Sequence, residues 1–105
     1  MRNEIDTVGI FFPDYFLDRK DLTIEEAYIL ALIYELVKRH ERIDYSNKAF
    51  ANKIHRNERS ISRWLDLLEK RKYIEMKGNA QNRIIFLTKK TFKIRKDFHD
   101  ERGNE

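Results

Sequence analysis

Two arginines four residues apart, Arg59 and Arg63, are the side chains of this sequence best suited to recognise a ligand. They lie in the stretch NERSISRWLDLLEKRKYI (57–74), where helical periodicity separates polar from apolar side chains. The polar side carries Arg59, Ser62, Arg63, Asp66 and Lys70, and the apolar side carries Ile61, Trp64, Leu65 and Leu68. A bidentate contact between a guanidinium and guanine discriminates between bases by about 1–3 kcal/mol. The pattern suits either a helix that reads DNA or an amphipathic helix whose solvated face is charged, and the neighbouring segments have to distinguish the two.

Catalytic and metal-binding chemistry finds little support in the sequence. The absence of cysteine excludes disulfides and thiolate zinc ligands. The three histidines, His40, His55 and His99, are widely spaced and have no metal-binding motif around them. We find neither a Gly-rich phosphate loop nor a nucleophile elbow. We therefore expect a protein that is not an enzyme and that needs neither a cofactor nor a metal.

The positive charge of the chain is concentrated in one segment. Residues 42–96 carry 16 Lys and Arg against 5 Asp and Glu, a net charge of +11. Residues 1–41 have a net charge of −4 and residues 97–105 a net charge of −3. A basic segment of this kind suits a polyanion, because each neutralised phosphate releases condensed counterions.

Length and hydropathy favour one domain in the cytoplasm. A chain of 105 residues supports one compact core. It contains no apolar run long enough to span a bilayer, and its first residues, MRNEIDTVGI, lack the features of a signal peptide. We therefore expect no membrane partner.

The first half of the chain predicts an arm followed by a long helix. Pro13 limits the stretch 8–21 to an edge strand or an extended arm, and Thr23 with Glu26 forms a capping box. Every residue of AYILALIY (27–34) is apolar, which predicts a central helix covered on its second side by the arm. The aromatic residues available for that cover are Phe11, Phe12, Tyr15 and Phe16. The alternative is a homodimer formed through this helix or through the arm.

The second half predicts a helix-turn-helix and a hairpin. RIDY (42–45) has the alternation of one short strand. Ser46 caps a second helix in NKAFANKIHR (47–56), a tight turn follows near His55, and Asn57 caps the third helix. YIEM (73–76) and RIIFL (83–87) then flank a polar loop whose Gly78 and Asn79 suit a β-hairpin.

The segment SNKAFANKIHRNERSISRWLDLLEKRKYIEM (46–76) resembles the helix-turn-helix of replication proteins from plasmids and phages of Gram-positive bacteria. These include the N-terminal domains of plasmid initiators and the DnaD-like replisome organisers. The similarity consists of Phe50 and Ala51, a polar cap, and SISRWLDLLEKRKYI, where the family tends to show TVSRWLKKLEEKGYI. It implies an α+β winged helix-turn-helix over residues 22–90, with three helices and a C-terminal hairpin wing. Residues 1–21 are then an N-terminal arm and residues 91–105 a tail that is first basic and then acidic.

The sequence departs from that family at two turns. The family often has glycine between the two helices and again just before the first wing strand. Here those positions fall near His55 and at Lys72. We therefore expect both residues to adopt a left-handed or adjusted backbone.

The resemblance implies contacts to DNA from both helices and from the wing. The candidate residues are Lys48 and Lys53 in the second helix; Asn57, Arg59, Ser60, Ser62 and Arg63 in the third helix; and Lys77, Asn79, Gln81, Asn82 and Arg83 in the wing. Residues near the start of the third helix are expected to face bases, and the others phosphates or the minor groove. The spacing of Trp64 predicts a core residue and not a platform for an unpaired base.

Three functions follow from these patterns. The first is binding of double-stranded DNA, in replication initiation or transcriptional control of a plasmid, a phage or another mobile element. The second is a winged-helix module for protein interaction, such as a replisome loader or a phage-encoded inhibitor, because Glu58 and Asp66 are unfavourable near phosphates. The third is binding of single-stranded DNA through the basic wing and tail.

Overall fold

The protein is an α+β domain in which helices precede a two-stranded antiparallel sheet. The computed structural model describes residues 2–5, 19–39, 42–79 and 82–92. Its elements are α1 (Ile24–Lys38), α2 (Asn47–Ile54), α3 (Glu58–Lys70), β1 (Ile74–Lys77) and β2 (Ile84–Leu87). This order is compatible with a winged-helix-like layout.

The three predicted N-caps are confirmed. The side-chain oxygens of Thr23, Ser46 and Asn57 each accept a hydrogen bond from the backbone N–H three residues further on, at 3.2, 3.2 and 2.8 Å. Each bond satisfies one of the N–H groups that the first turn of a helix leaves without an intrahelical partner. The caps therefore fix where α1, α2 and α3 begin.

The two positions at which the resemblance requires a left-handed backbone do adopt it. His55 has a φ of 59° and Lys72 a φ of 69°, and α2 consequently ends at Ile54, before the predicted limit of 56. After α3, the N–H of Lys72 donates to the carbonyl of Glu69 at 3.0 Å, and that of Tyr73 donates to Leu68 at 2.9 Å. This pair of bonds is the Schellman motif, which satisfies the last carbonyls of a helix.

Helix α1 is the centre of the core, as predicted. Residues 27–34 are buried except for the half-buried Tyr28, and Ile29, Leu30 and Ile33 are each 0% exposed. This burial occurs within one chain, so residues 29–34 leave no apolar face open for the homodimer alternative. The four aromatic residues expected to cover the helix lie outside the described residues.

The other side of the core comes from α3 and the sheet. Ile61, Leu65, Leu68, Tyr73 and Ile74 are each at most 1% exposed. Trp64, at 9% exposed, belongs to the same core, which confirms its predicted role. The core therefore fixes which face of α3 remains open to solvent.

The hairpin is shifted by one residue at β1 from its predicted position. Ile74 pairs with Leu87 and Lys77 with Ile84. The predicted strand at 42–45 is reduced to two isolated bridges, an antiparallel one from Ile43 to Ile85 and a parallel one from Tyr45 to Arg2. The segment keeps the alternation of a strand, but each neighbour pairs with it at a single position.

The chain after β2 packs on the end of α3. Residues 89–92 are helical, and Thr91 is 0% exposed. The Oγ1 of Thr91 donates to the carbonyl of Tyr73 at 2.7 Å, and the Nζ of Lys90 donates to that of Arg71 at 2.8 Å. The folded region thus continues past residue 90 into the segment predicted as a tail.

Candidate nucleic-acid interface

The face of α3 opposite the core carries most of the candidate recognition residues. Its exposed side chains are Arg59, Ser62, Arg63, Asp66 and Lys70. These residues, with Leu67, line one shallow concave surface along the helix. Lys70 was not among the predicted contacts, although its spacing of seven residues from Arg63 indicates the same face.

Asn57 caps the start of α3, where the positive end of the helix dipole favours an anion. The Oδ1 of Asn57 accepts the N–H of Ser60 at 2.8 Å, which leaves the amide group of Asn57 able to donate to a ligand. Ser60 is half-buried, and Glu58 is exposed in the first turn. Because the positive end of the helix dipole lies here, it stabilises Glu58, which has no cationic partner among the described residues.

The cations of α3 have no carboxylate partner among the described residues, whereas seven cations elsewhere in those residues do. Within the described ranges, the side chains of Arg59 and Lys70 form neither a hydrogen bond nor an ion pair. Arg63 makes a ring contact only, with its Cζ 5.9 Å from the Trp64 ring centroid. Ion pairs elsewhere include Arg2 with Asp44, Arg39 with Glu35, Arg71 with Glu26 and Lys90 with Asp21. The positive charge on α3 therefore remains available to an anionic ligand.

Helix α2, adjacent to α3, carries two further cations. Lys48 lies exposed in its first turn, and Lys53 is half-buried in its last turn. Helices α2 and α3 pack against each other, and the turn at His55 connects them. The exposed Arg56 of that turn donates from Nη1 to the carbonyl of His55 at 3.0 Å.

The hairpin loop begins with a glycine that no other residue replaces easily. Gly78 has a φ of 101°, and a Cβ at this position would lie 2.0 Å from the carbonyl oxygen of Asn82. The N–H of Asn82 donates to the Oδ1 of Asn79 at 2.9 Å. Lys77 is exposed, with its Nζ 3.8 Å from a Glu75 carboxylate oxygen and 5.7 Å from the Phe86 ring centroid. Gln81 lies outside the described residues.

Arg83 is oriented differently from the other candidates. Its Nη1 donates to the Oδ1 of Asn47 at 2.7 Å and its Nη2 to the carbonyl of Tyr45 at 2.8 Å. Its Nε is buried and has no hydrogen-bond partner in the described chain. Burial lowers the pKa of Arg83, while the Asp66 carboxylate opposes that shift. The guanidinium is thus directed into the protein.

The structure therefore sorts the candidates into three groups. It brings Asn57, Arg59, Ser60, Ser62 and Arg63 together on α3, with Lys48 and Lys53 on the adjacent α2. It places Lys77, Asn79 and Asn82 around the hairpin loop. Arg83 alone among the described candidates has both terminal nitrogens bonded within the chain.

Residues 2–5, 19–39, 42–79 and 82–92 contain no group of three or more His, Asp or Glu side chains that could hold a metal ion. Over the same residues, every helix is too short or too polar to cross a membrane. Comparisons with protein-family models, with curated protein sequences and with solved structures give no match to this chain. A functional argument therefore depends on the residues of α2, α3 and the hairpin.

Proposed function

We propose that this protein is a winged-helix domain that binds double-stranded DNA through α3, with β1 and β2 as its wing. The observation that carries the proposal is the exposed pair Arg59 and Arg63, whose side chains have no carboxylate partner among the described residues. Both lie in the first two turns of an N-capped helix. In a recognition helix these turns meet base edges in the major groove, where arginine contacts guanine.

The remaining cations supply the contacts that position a duplex. Lys48 in the first turn of α2 and Lys70 late in α3 are exposed, and we assign them to phosphates. Lys77, Asn79 and Asn82 of the wing are exposed as well and suit the backbone or the minor groove. The resemblance of residues 46–76 directs the proposed role to replication initiation or transcriptional control of a mobile element, in the cytoplasm.

A second candidate function, protein interaction, is favoured by a different surface. Phe86 and Phe92 are 45% and 47% exposed, and they line an apolar concavity together with Val37, Ile43 and Leu87. Exposed apolar patches of this kind mark interaction sites. For single-stranded DNA, Trp64 offers no stacking platform, because it lies in the core as predicted. Phe86 is an exposed ring whose centroid is 5.7 Å from the Nζ of Lys77.

Fluorescence anisotropy with a duplex and a single strand of equal length, at two salt concentrations, tests the proposal. We expect salt-sensitive binding of the duplex that the Arg59→Ala/Arg63→Ala variant loses by about tenfold or more, since each contact contributes roughly 1–3 kcal/mol. The matched control is Lys20→Ala/Lys38→Ala, which removes the same charge from exposed positions outside α2, α3 and the wing.

Each alternative has its own signature in this experiment. Equal losses in both double variants would mean that only net charge attracts the DNA. Failure to bind the duplex at low salt contradicts the proposal. Binding of the single strand alone, weakened by Phe86→Ala, would favour the single-strand reading. Binding of neither DNA directs attention to the apolar concavity and to a protein partner.

A further inference from the structure

The guanidinium of Arg83 joins two parts of the chain that lie beside the candidate interface. Arg83 immediately precedes β2. Its two acceptors, the carbonyl of Tyr45 and the side chain of Asn47, lie on either side of the N-cap of α2. The planar fork of arginine fits two acceptors at once. These bonds connect the base of the hairpin to the start of the helix-turn-helix.

The environment of this guanidinium favours an internal role over contact with DNA. Both terminal nitrogens are used at normal hydrogen-bond distances of 2.7 and 2.8 Å, and the Nε is enclosed without a partner in the described chain. Each terminal nitrogen keeps a second N–H group, but a phosphate would have to approach a guanidinium that is already oriented toward Tyr45 and Asn47. The nearby Asp66 on α3 supports the half-buried charge, which gives a structural reason for an acid on a face proposed to meet phosphates.

We propose that Arg83 is a positioning residue, which holds the hairpin at a fixed orientation to α2 and α3 so that Lys77, Asn79 and Asn82 can act as a wing. The anchoring itself follows from the geometry, whereas its consequence for DNA rests on the proposed function. Arg83 then affects DNA affinity only through the hairpin that it anchors. Two measurements separate these two parts.

The first measurement is backbone ¹⁵N relaxation, which needs no DNA. Arg83→Lys keeps the charge but cannot span both acceptors, so we expect the order parameters at residues 78, 79 and 82 to fall from about 0.85 to about 0.6 or less. Those of α1 should not change. The matched control Lys77→Ala alters the same hairpin and leaves the anchor in place. Unchanged order at all three positions in Arg83→Lys would overturn the proposal.

The second measurement is a mutant cycle of duplex affinity. We expect Arg83→Lys to weaken binding about fivefold in the parent protein, but less than about twofold in a Lys77→Ala/Asn79→Ala/Asn82→Ala background, because that background has already lost the wing contacts that Arg83 positions. Additive losses, or full affinity in Arg83→Lys with a loss in Arg83→Gln, would instead identify a direct phosphate contact and overturn the proposal. If the parent protein binds no duplex, the proposed function fails, and the relaxation result alone decides the anchoring role.

Discussion

Helices α2 and α3 are each followed by a residue with positive φ. His55 and Lys72 stand where glycine would adopt the backbone without a steric penalty. For a residue with a Cβ, the left-handed conformation costs about 1 kcal/mol. The Schellman bonds that follow α3 offset this cost, since they satisfy the carbonyls of Leu68 and Glu69. These positions tolerate strain and do not depend on the particular side chain.

Lys72→Gly is therefore expected to stabilise the protein. Relief of the left-handed strain exceeds the larger chain entropy of unfolded glycine, so the free energy of unfolding should rise by about 0.5–1 kcal/mol. Urea denaturation measures the change. The matched control is Lys70→Gly at the last residue of α3, which should lower stability by up to about 1 kcal/mol. A loss of stability in both variants would show that Lys72 contributes contacts worth more than its strain.

Asp21 links pH to stability at the same scale. Its carboxylate accepts the Tyr73 hydroxyl at 2.7 and 2.8 Å. Burial alone would raise the pKa of Asp21, but the hydrogen bond from Tyr73 and the charges of Lys90 and Arg19 outweigh it, so the pKa lies below its usual value. A lowered carboxyl pKa adds stability above the unfolded pKa of about 3.9, and this stability is lost as the pH falls through the folded value.

Asp21→Asn should consequently flatten the acid limb of the stability curve below about pH 5. The side chain is 42% exposed, so after solvent screening we expect an effect of only about 0.5–1 kcal/mol. Urea denaturation over a pH series gives the slopes. Tyr73→Phe removes the donor and should flatten the curve as well. Slopes identical to that of the parent protein in both variants would contradict this assignment.

At the scale of the elements, α1 organises the fold because most of its residues between 26 and 36 are buried. Leu30→Ala should lower the free energy of unfolding by about 2–5 kcal/mol, since a fully buried leucine leaves a cavity. Ile24 lies on the same helix and is 71% exposed, so Ile24→Ala is the control, with a change of at most about 0.5 kcal/mol.

Unfolding at several protein concentrations completes this test. Burial within one chain predicts the same midpoint at every concentration. A midpoint that rises with protein concentration would instead support a homodimer through α1. The same conclusion would follow if the destabilisation by Leu30→Ala increased with protein concentration.

The elements also show what the sequence could and could not predict. The caps at Thr23, Ser46 and Asn57 depend on partners three residues away, so a local pattern was sufficient. The acceptors of Arg83 lie 36 and 38 residues away, and Tyr73 lies 52 residues from Asp21. Such bonds form only when the elements are assembled, and Arg83 was therefore predicted as a DNA contact.

In the whole molecule, the acidic N-terminal segment neutralises part of the basic one. Glu26 pairs with Arg71 and Asp21 with Lys90, so cations near the end of α3 and after β2 are balanced within the fold. Those on the open face of α3 have no such partner in the described chain. Folding thus leaves the cations on the surface that we propose for DNA available to a ligand, which net charge alone does not reveal.

Arg59 and Lys70 lie near opposite ends of α3, and we expect their substitutions to change DNA binding in different ways. Arg59 lies in the first turn and is expected to read a base, so Arg59→Ala should reduce discrimination between sequences by about 1–3 kcal/mol with little change in salt dependence. Lys70 lies in the last turn and is expected to contact a phosphate. Lys70→Ala should therefore weaken all duplexes equally and reduce the slope of log K against log salt by about 0.9.

Competition between a selected site and random duplexes at about 50 and 200 mM salt measures both quantities in one titration. The two variants remove the same charge from the same helix face, so each controls for the other. A reduced slope with unchanged discrimination in Arg59→Ala would make the start of α3 a phosphate clamp. In that case sequence recognition would have to come from Arg63 or from the wing, and the variants to compare next would be Arg63→Ala and Asn82→Ala.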